Sequence, residues 1–271
     1  MTESSSEPPG RLVSHFAARS REGHTQGWSE LWDSNQTNFW DRGKPSPALI
    51  DFVESRPDVL RQPPGDERLR ALVPGCGKGY DVAMLALHGF DVYGLEVSDT
   101  GARVAKSYAL SELDHPARHN YGNREEWLPT TPGKLKIITG DFFKRDWQAT
   151  CADQGVTRFD LIYDYTFLCA IHPEMRKHWA VRMSELLAPS GVLVCLEFPL
   201  YKHLGAPGPP WGLRGVHWNI LAQGEDGMVD ESSKKVVSAN GQFHRVLYFK
   251  PPRSYENGRG TDMLSVWALK P

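Results

Sequence analysis

None of the four cysteines, Cys76, Cys151, Cys169 and Cys195, is spaced as C-x-x-C from another. That removes the usual zinc-ligand pairs and the dithiol redox motif, so no metal is expected. Cys195 sits in the apolar run VLVCLEF and reads as core. Without a disulfide framework the chain suits a reducing cytoplasm. No apolar run approaches the roughly 20 residues that span a bilayer. The N-terminal MTESSSEPPGRLVSHF lacks the basic-then-apolar order of a signal peptide, and residues 1–25 read as a loose tail. An excess of one charge is missing too: 31 Lys and Arg against 33 Asp and Glu leave a net charge of −2. Neither nucleic acid nor an anionic membrane is an expected partner. Two phosphate-binding patterns are also absent. There is no G-x-x-x-x-G-K-[ST], which disfavours a nucleotide triphosphatase, and no G-x-G-x-x-G, which disfavours a dinucleotide dehydrogenase.

What is present is a core-forming, aromatic-rich chain. Of 271 residues, 40% are hydrophobic and nine are tryptophan, enough for one large α/β domain. GWSELWD, residues 27–33, spaces Trp28 and Trp32 four apart on one helical face. Ser46 and Pro47 read as N-cap and first residue of the helix ALIDFVES. Short apolar strands are expected at 69–73, 92–96, 135–138, 159–163 and 191–198. Helices are expected between them at 80–88, from Ser98 or Asp99 to about 113, and from Pro173 to before Pro189. Two late strands, 243–249 and 263–269, have no helix between them and should pair as a hairpin. Alternating strands and helices imply a mostly parallel sheet covered on both faces. The polar insert 114–133 and the Pro- and Gly-rich loop 199–215 exceed what a connector needs, and are expected to shape a site.

The sharpest local signal is ALVPGCGKGYD, where a strand runs into Gly75, Gly77 and Gly79 and a helix follows. Such a turn brings backbone amides and a helix N-terminus up to a ligand. The next strand ends in Glu96, placed to accept hydrogen bonds from two ribose hydroxyls. The third ends in GDFF, with Asp141 for an adenine amino group and the Phe142 ring beside it. Tyr163, Tyr165 and Phe167 alternate along the fourth strand and beyond it, and aromatic faces attract cations. A ligand with adenine, ribose and a sulfonium, but no phosphate, fits this set: S-adenosyl-L-methionine.

These stretches, with GWSELWDSNQTNFWDRGKPSP, FDLIYDYTFLCAIHPEMR and GVLVCLEFP, resemble the thiopurine S-methyltransferase and halide/thiol methyltransferase family from about residue 26 to the end. The resemblance implies a class I, Rossmann-like methyltransferase fold: a seven-stranded, mostly parallel sheet with a C-terminal antiparallel hairpin and helices on both faces. It implies one domain over 26–271, with an N-terminal aromatic cap and a substrate loop near 199–219. It carries cofactor binding onto Trp28, Trp32, Trp40, Gly75, Gly77, Glu96, Asp141, Phe142 and Tyr165, with S-adenosyl-L-homocysteine as product. The interval from Trp32 to Trp40 is a residue longer than in the plant halide enzymes. Within the family the resemblance points to fungal thiol methyltransferases, implying a hydrophobic dithiol acceptor such as reduced gliotoxin, and toxin inactivation by bis-thiomethylation.

The chemistry would be displacement of the sulfonium methyl by a thiolate. A thiol with a pKa of about 8.5 is a few per cent ionised at pH 7, so complete ionisation is worth about 2 kcal/mol. Orientation supplies on the order of 7–11 kcal/mol. A strong dedicated base is therefore not required. Groups able to take a proton are His172, Glu197, Tyr201 and Asp33, each with a plain structural role as its alternative. Phe39, Tyr201 and Trp211 are the expected acceptor-binding residues, with Trp218 a further aromatic suited to a bulky apolar acceptor. Alternative readings are an enzyme for small nucleophiles such as sulfide, halide or simple thiols, and a non-catalytic cofactor-binding protein. Nothing demands a second subunit, so a monomer is expected.

Overall fold

The structure, a computed structural model, describes residues 10–60, 67–122, 131–153, 155–229 and 239–271. Seven strands form one sheet in the order β3-β2-β1-β4-β5-β7-β6. They are β1 (Arg70–Pro74), β2 (Asp91–Glu96), β3 (Leu135–Thr139), β4 (Phe159–Tyr165), β5 (Leu187–Glu197), β6 (Phe243–Phe249) and β7 (Met263–Leu269). The first five run parallel, β7 is antiparallel to both β5 and β6, and the expected C-terminal hairpin is present.

Period-two alternation divides the core between the two faces of the sheet. Leu72, Ile162, Leu193 and Cys195 point into one cluster, with Trp179 and Met183 of helix α7 (Arg176–Leu186). Ala71, Val73, Leu161, Tyr163, Val192, Val194 and Leu196 point into the other. That second cluster is covered by α3 (Pro47–Ser55) and α4 (Tyr80–Leu87). Strands apolar on both faces are what a helix-covered parallel sheet needs.

The helix starts follow their caps. Ser46 Oγ accepts from the Leu49 amide at 3.3 Å ahead of Pro47. Ser98 Oγ accepts from the Gly101 amide at 3.1 Å and opens α5 (Asp99–Asp114). Helix α2 (His24–Asp33) carries Trp28 and Trp32 as the spacing predicts. Three features depart from the sequence reading. The stretch read as a tail holds helix α1 (Arg11–Phe16), because buried Phe16 packs against His24 and Trp28. A short α6 (Gln148–Ala152) lies in a connection that showed no helical period. Strand β5 begins at Leu187, earlier than Gly191, with an irregular register opposite Phe159 and Leu161. Among the described residues no helix is long and apolar enough to cross a membrane.

Candidate active site

The carboxyl ends of β1, β2, β3 and β4 open on one edge of the sheet, where α/β folds bind ligands. A cleft there encloses about 1300 Å³, open solvent included. Trp28, Trp32, Trp40, Gly75, Gly77, Glu96, Asp141, Phe142 and Tyr165 all line it. The nine residues singled out for cofactor binding thus meet in one place, from four strand ends and the N-terminal cap.

The floor is the β1–α4 turn. Gly75 and Gly77 take φ of +60° and +57°, a region that L side chains avoid. A Cβ on Gly75 would meet Phe167 Cδ2 at 2.5 Å, whereas one on Gly77 would enter open space. Gly77 therefore keeps its backbone bare to the cleft. Its amide donates to Glu96 Oε2 at 3.1 Å, while Glu96 Oε1 accepts from the Val97 amide at 2.9 Å and the Ser98 amide at 3.2 Å. Burial pushes the Glu96 carboxyl up to about 7; those amides and the Trp32 side chain pull the other way. Asp141 Oδ1 accepts from the Phe143 amide at 2.9 Å, which fixes the carboxylate beside Phe142.

Aromatic rings build the roof. Trp40 stands edge-on to Trp28 at 5.3 Å and to Trp32 at 5.7 Å, so the longer interval still returns Trp40 to its partners. Tyr165 stacks on Tyr255 at 4.9 Å, and the Tyr255 hydroxyl donates to the Lys44 carbonyl at 2.9 Å. The turn between β6 and β7 thereby joins the N-terminal segment across the cleft. Thr166, the next residue after Tyr165, has a φ of +64°, a strained conformation of the kind that clusters at ligand sites. Buried Asp164 holds the following loop, accepting from the Leu168 amide at 3.2 Å and Trp179 Nε1 at 2.9 Å. Burial raises its carboxyl to about 7.

The residues proposed for proton transfer are not brought to the cleft wall. His172 caps the turn after β4, its Nδ1 accepting from the Glu174 amide at 3.4 Å. Glu197 is buried beside His217, with 3.7 Å between Oε2 and Nδ1. Asp33 accepts from Thr100 Oγ1 at 2.6 Å on the surface. Tyr201 lies under Arg259, 4.6 Å from ring centre to guanidinium carbon, and is also exposed. Nor do the expected acceptor residues line the cleft. Phe39 stays half-buried in a 3₁₀ turn outside it. Trp211 is tied to the loop after β4 by its amide, 2.9 Å from the Cys169 carbonyl, and reaches the site only through His24, 5.4 Å away. Trp218 is exposed on the far side, against Trp267. The described parts of 114–133 and 199–215 also stay off the wall, and the Gly122 amide donates to Glu54 instead. Residues 123–130 of that insert lie outside the described residues.

Sequence reasoning missed His24, Asp41, Arg42, Lys78 and Tyr255, all on the wall. Lys78 and Asp41 pair at 2.5 Å. His24 Nε2 lies 2.9 Å from the Ala170 carbonyl. A carbonyl only accepts, so Nε2 carries the proton and buried Nδ1 is left without a partner. Burial lowers the His24 pKa, which keeps the ring neutral.

Known proteins resemble the chain in sequence and in fold. The family model for thiopurine S-methyltransferase (TPMT) matches residues 23–237. The chain is 36% identical over 241 residues to thiocyanate methyltransferase 1 of Arabidopsis thaliana, covering 89% of this chain and 83% of that one. It is 36% identical over 191 residues to probable thiol methyltransferase 2 of the same plant, covering 70% and 68%. Among solved structures, magnesium protoporphyrin IX methyltransferase of Synechocystis PCC 6803 with bound SAM superposes with a TM-score of 0.53 at 14% identity, covering 94% and 99%. Likeness at that identity speaks for the fold alone. The family match and the two plant relatives go further: this chain belongs to the thiopurine S-methyltransferase family of S-adenosylmethionine-dependent thiol methyltransferases.

Proposed function

We propose that the chain S-methylates a small hydrophobic thiol, and that a dithiol such as reduced gliotoxin is its acceptor. One observation carries the reading: a single cleft joins a polar, glycine-floored half to an aromatic half. In the polar half, Glu96 takes the ribose hydroxyls, and three amides orient it. Asp141 and Phe142 take the adenine, and the bare backbone at Gly75 and Gly77 takes the methionyl end. Trp28, Trp32, Trp40 and Tyr165 surround the sulfonium with ring faces.

When bound, the cofactor supplies an electrophilic methyl group. The protein's work is alignment and exclusion of water. Phe167, Ile171 and Met175 give the acceptor an apolar wall on the same cleft. No carboxylate or imidazole has to act as a strong base, because alignment outweighs ionisation by several kcal/mol, about 7–11 against about 2. The enzyme is read as a cytoplasmic monomer working without nucleic acid or membrane. The 36% identity to a thiocyanate methyltransferase favours a second reading, in which small sulfur nucleophiles or halides are the substrates.

Methyl transfer from labelled S-adenosylmethionine to reduced gliotoxin, a thiopurine, an aryl thiol, sulfide and iodide separates these. Selective turnover of the dithiol, with two methyls per molecule, is expected. Turnover of sulfide or iodide alone moves the enzyme to the small-nucleophile branch. Cofactor binding with no acceptor methylated sinks the thiol reading in favour of a binding protein.

A further inference from the structure

Arg42 is a wall cation whose charge the cofactor reading leaves unused. It stands between the 3₁₀ turn at Thr37–Phe39 and α3, half-buried on the cleft. Lys78 is matched with Asp41 at 2.5 Å and Arg253 with Asp51 at 2.5 Å, while Arg176 and Lys202 are bonded to backbone carbonyls. Arg42 pairs with no carboxylate among the described residues. Its Nε donates to the Tyr165 hydroxyl at 3.3 Å. A guanidinium only donates, so the Asn257 amide turns its oxygen inward and accepts from Nη2 at 2.5 Å and Nε at 3.1 Å. The Phe198 ring lies 5.7 Å from the guanidinium carbon. All three partners are neutral. The acid that feels its charge, Asp262, is buried behind the wall and bonded to Ser254 Oγ at 2.6 Å. Cys169 feels it too, and Tyr255 closes the other side of Tyr165.

Tyr165 completes the arrangement. Burial pushes its phenol far above the usual range, so the hydroxyl stays protonated at any working pH. Its oxygen accepts from Arg42, and the Asn257 side chain also bonds this hydroxyl, so an incoming anion takes the phenol proton in exchange for Asn257. A half-buried cation beside a committed O–H donor, in a cleft of aromatic rings, is a receptor for a soft anion.

We propose that Arg42 and the Tyr165 hydroxyl bind the acceptor sulfur as an anion, so that the substrate enters and reacts as its thiolate. The proposal rests on the thiol reading above. The thiol proton leaves to water before transfer. A sulfur lone pair then forms the new S–C bond as the sulfonium C–S bond breaks, and that electron pair stays on the cofactor sulfur. Anion and cation give two neutral thioethers, so the product loses its hold on Arg42 and leaves. Acceptors that ionise poorly, alcohols above all, gain nothing from the receptor. Small inorganic anions would use the same two donors.

The test uses an aryl thiol whose thiolate absorbs apart from its thiol, bound to the full chain with S-adenosylhomocysteine. Absorbance against pH gives the acceptor pKa on the enzyme. It is expected to lie at least about one unit below the free value, as an opposite charge within a few ångströms produces. Arg42→Met should return it to the free value and Arg42→Lys should keep part of the shift. The acidic limb of kcat, which reports the bound complex, should move up with it, an approximately fivefold loss one unit below the free pKa. S-adenosylhomocysteine affinity should hold within about twofold in both variants, by the same logarithmic scale. An unchanged bound pKa in Arg42→Met, with wild type still methylating thiols, overturns the receptor and leaves the thiol reading intact. Loss of cofactor affinity in both variants also overturns it, since Arg42 would then be packing support. A wild type that binds the cofactor and methylates no thiol sinks both.

Discussion

Glu96 sits where a carboxyl is close to half-protonated at neutral pH, because burial raises it to about 7. Ribose hydroxyls donate best to the ionised form. Below pH 7 the cofactor must therefore displace a proton, and affinity should fall by up to about tenfold per pH unit. Calorimetric titration with S-adenosylhomocysteine at pH 6 and pH 8 reads this slope. Glu96→Gln should bind weakly at both, without the slope; a variant that keeps wild-type affinity would end the ribose assignment. Asp164 is raised by the same cause, to about 7 from 3.8, but faces the loop that shapes the site. Its folded pKa is the higher one, so its stabilising contribution is complete below the unfolded value and is lost as pH rises through the folded one. Asp164→Asn still offers an oxygen to Trp179. Relative to wild type, its unfolding free energy from urea titration should rise from pH 5 to pH 7, by about 2–3 kcal/mol at the limit. A difference independent of pH would mean that Asp164 does not bury its charge.

At the scale of the element, the β1–α4 turn separates fold from function within three residues. Gly75→Ala brings a Cβ against Phe167 at 2.5 Å in addition to a φ of +60°, so stability and cofactor binding should fall together. Gly77→Ala meets nothing within 4 Å. Its cost is the left-handed backbone alone, about 1–2 kcal/mol, while its methyl enters the space assigned to the cofactor. Cofactor affinity should therefore drop more than stability, which thermal melts and binding isotherms on the two variants will show. Elements of this kind were legible in the sequence because their signals are local. The glycine spacing, the Ser46 and Ser98 caps, and the acids at strand ends each lie within a few residues of the structure they specify. Arg42 and Tyr255 carry no such signal: Arg42 is an arginine in a turn-rich stretch, and Tyr255 stacks on a residue 90 positions earlier. Helix α1 was hidden for the same reason, since what orders it is the long-range packing of Phe16. Trp211 and Tyr201 misled in the other direction. Their aromatic character suits a ligand, but loop geometry spends it on His24 and Arg259.

In the whole molecule, the sheet and its two clusters form a platform, and the site is closed by pieces from both ends of the chain. Neither cluster contains a residue before Ala48. The N-terminal cap is held instead by rings meeting over the cleft and by the Tyr255 hydroxyl on Lys44. Such a cap can open without unfolding the platform. Phe16 is its outer fastening: a Cβ on Gly27 would come within 2.6 Å of the Phe16 ring, so α1 and α2 are packed without slack. A chain beginning at Gly23 removes that fastening and leaves every residue of both clusters in place. Its main unfolding transition should shift by less than about 1 kcal/mol, since local opening and global unfolding are separate events. Its affinity for S-adenosylhomocysteine should fall at least tenfold, about 1.4 kcal/mol, because Trp28 loses the ring behind it. Parallel loss of stability would show the cap to be part of the cooperative core, and unchanged affinity would show that α1 does not hold the roof over the cofactor.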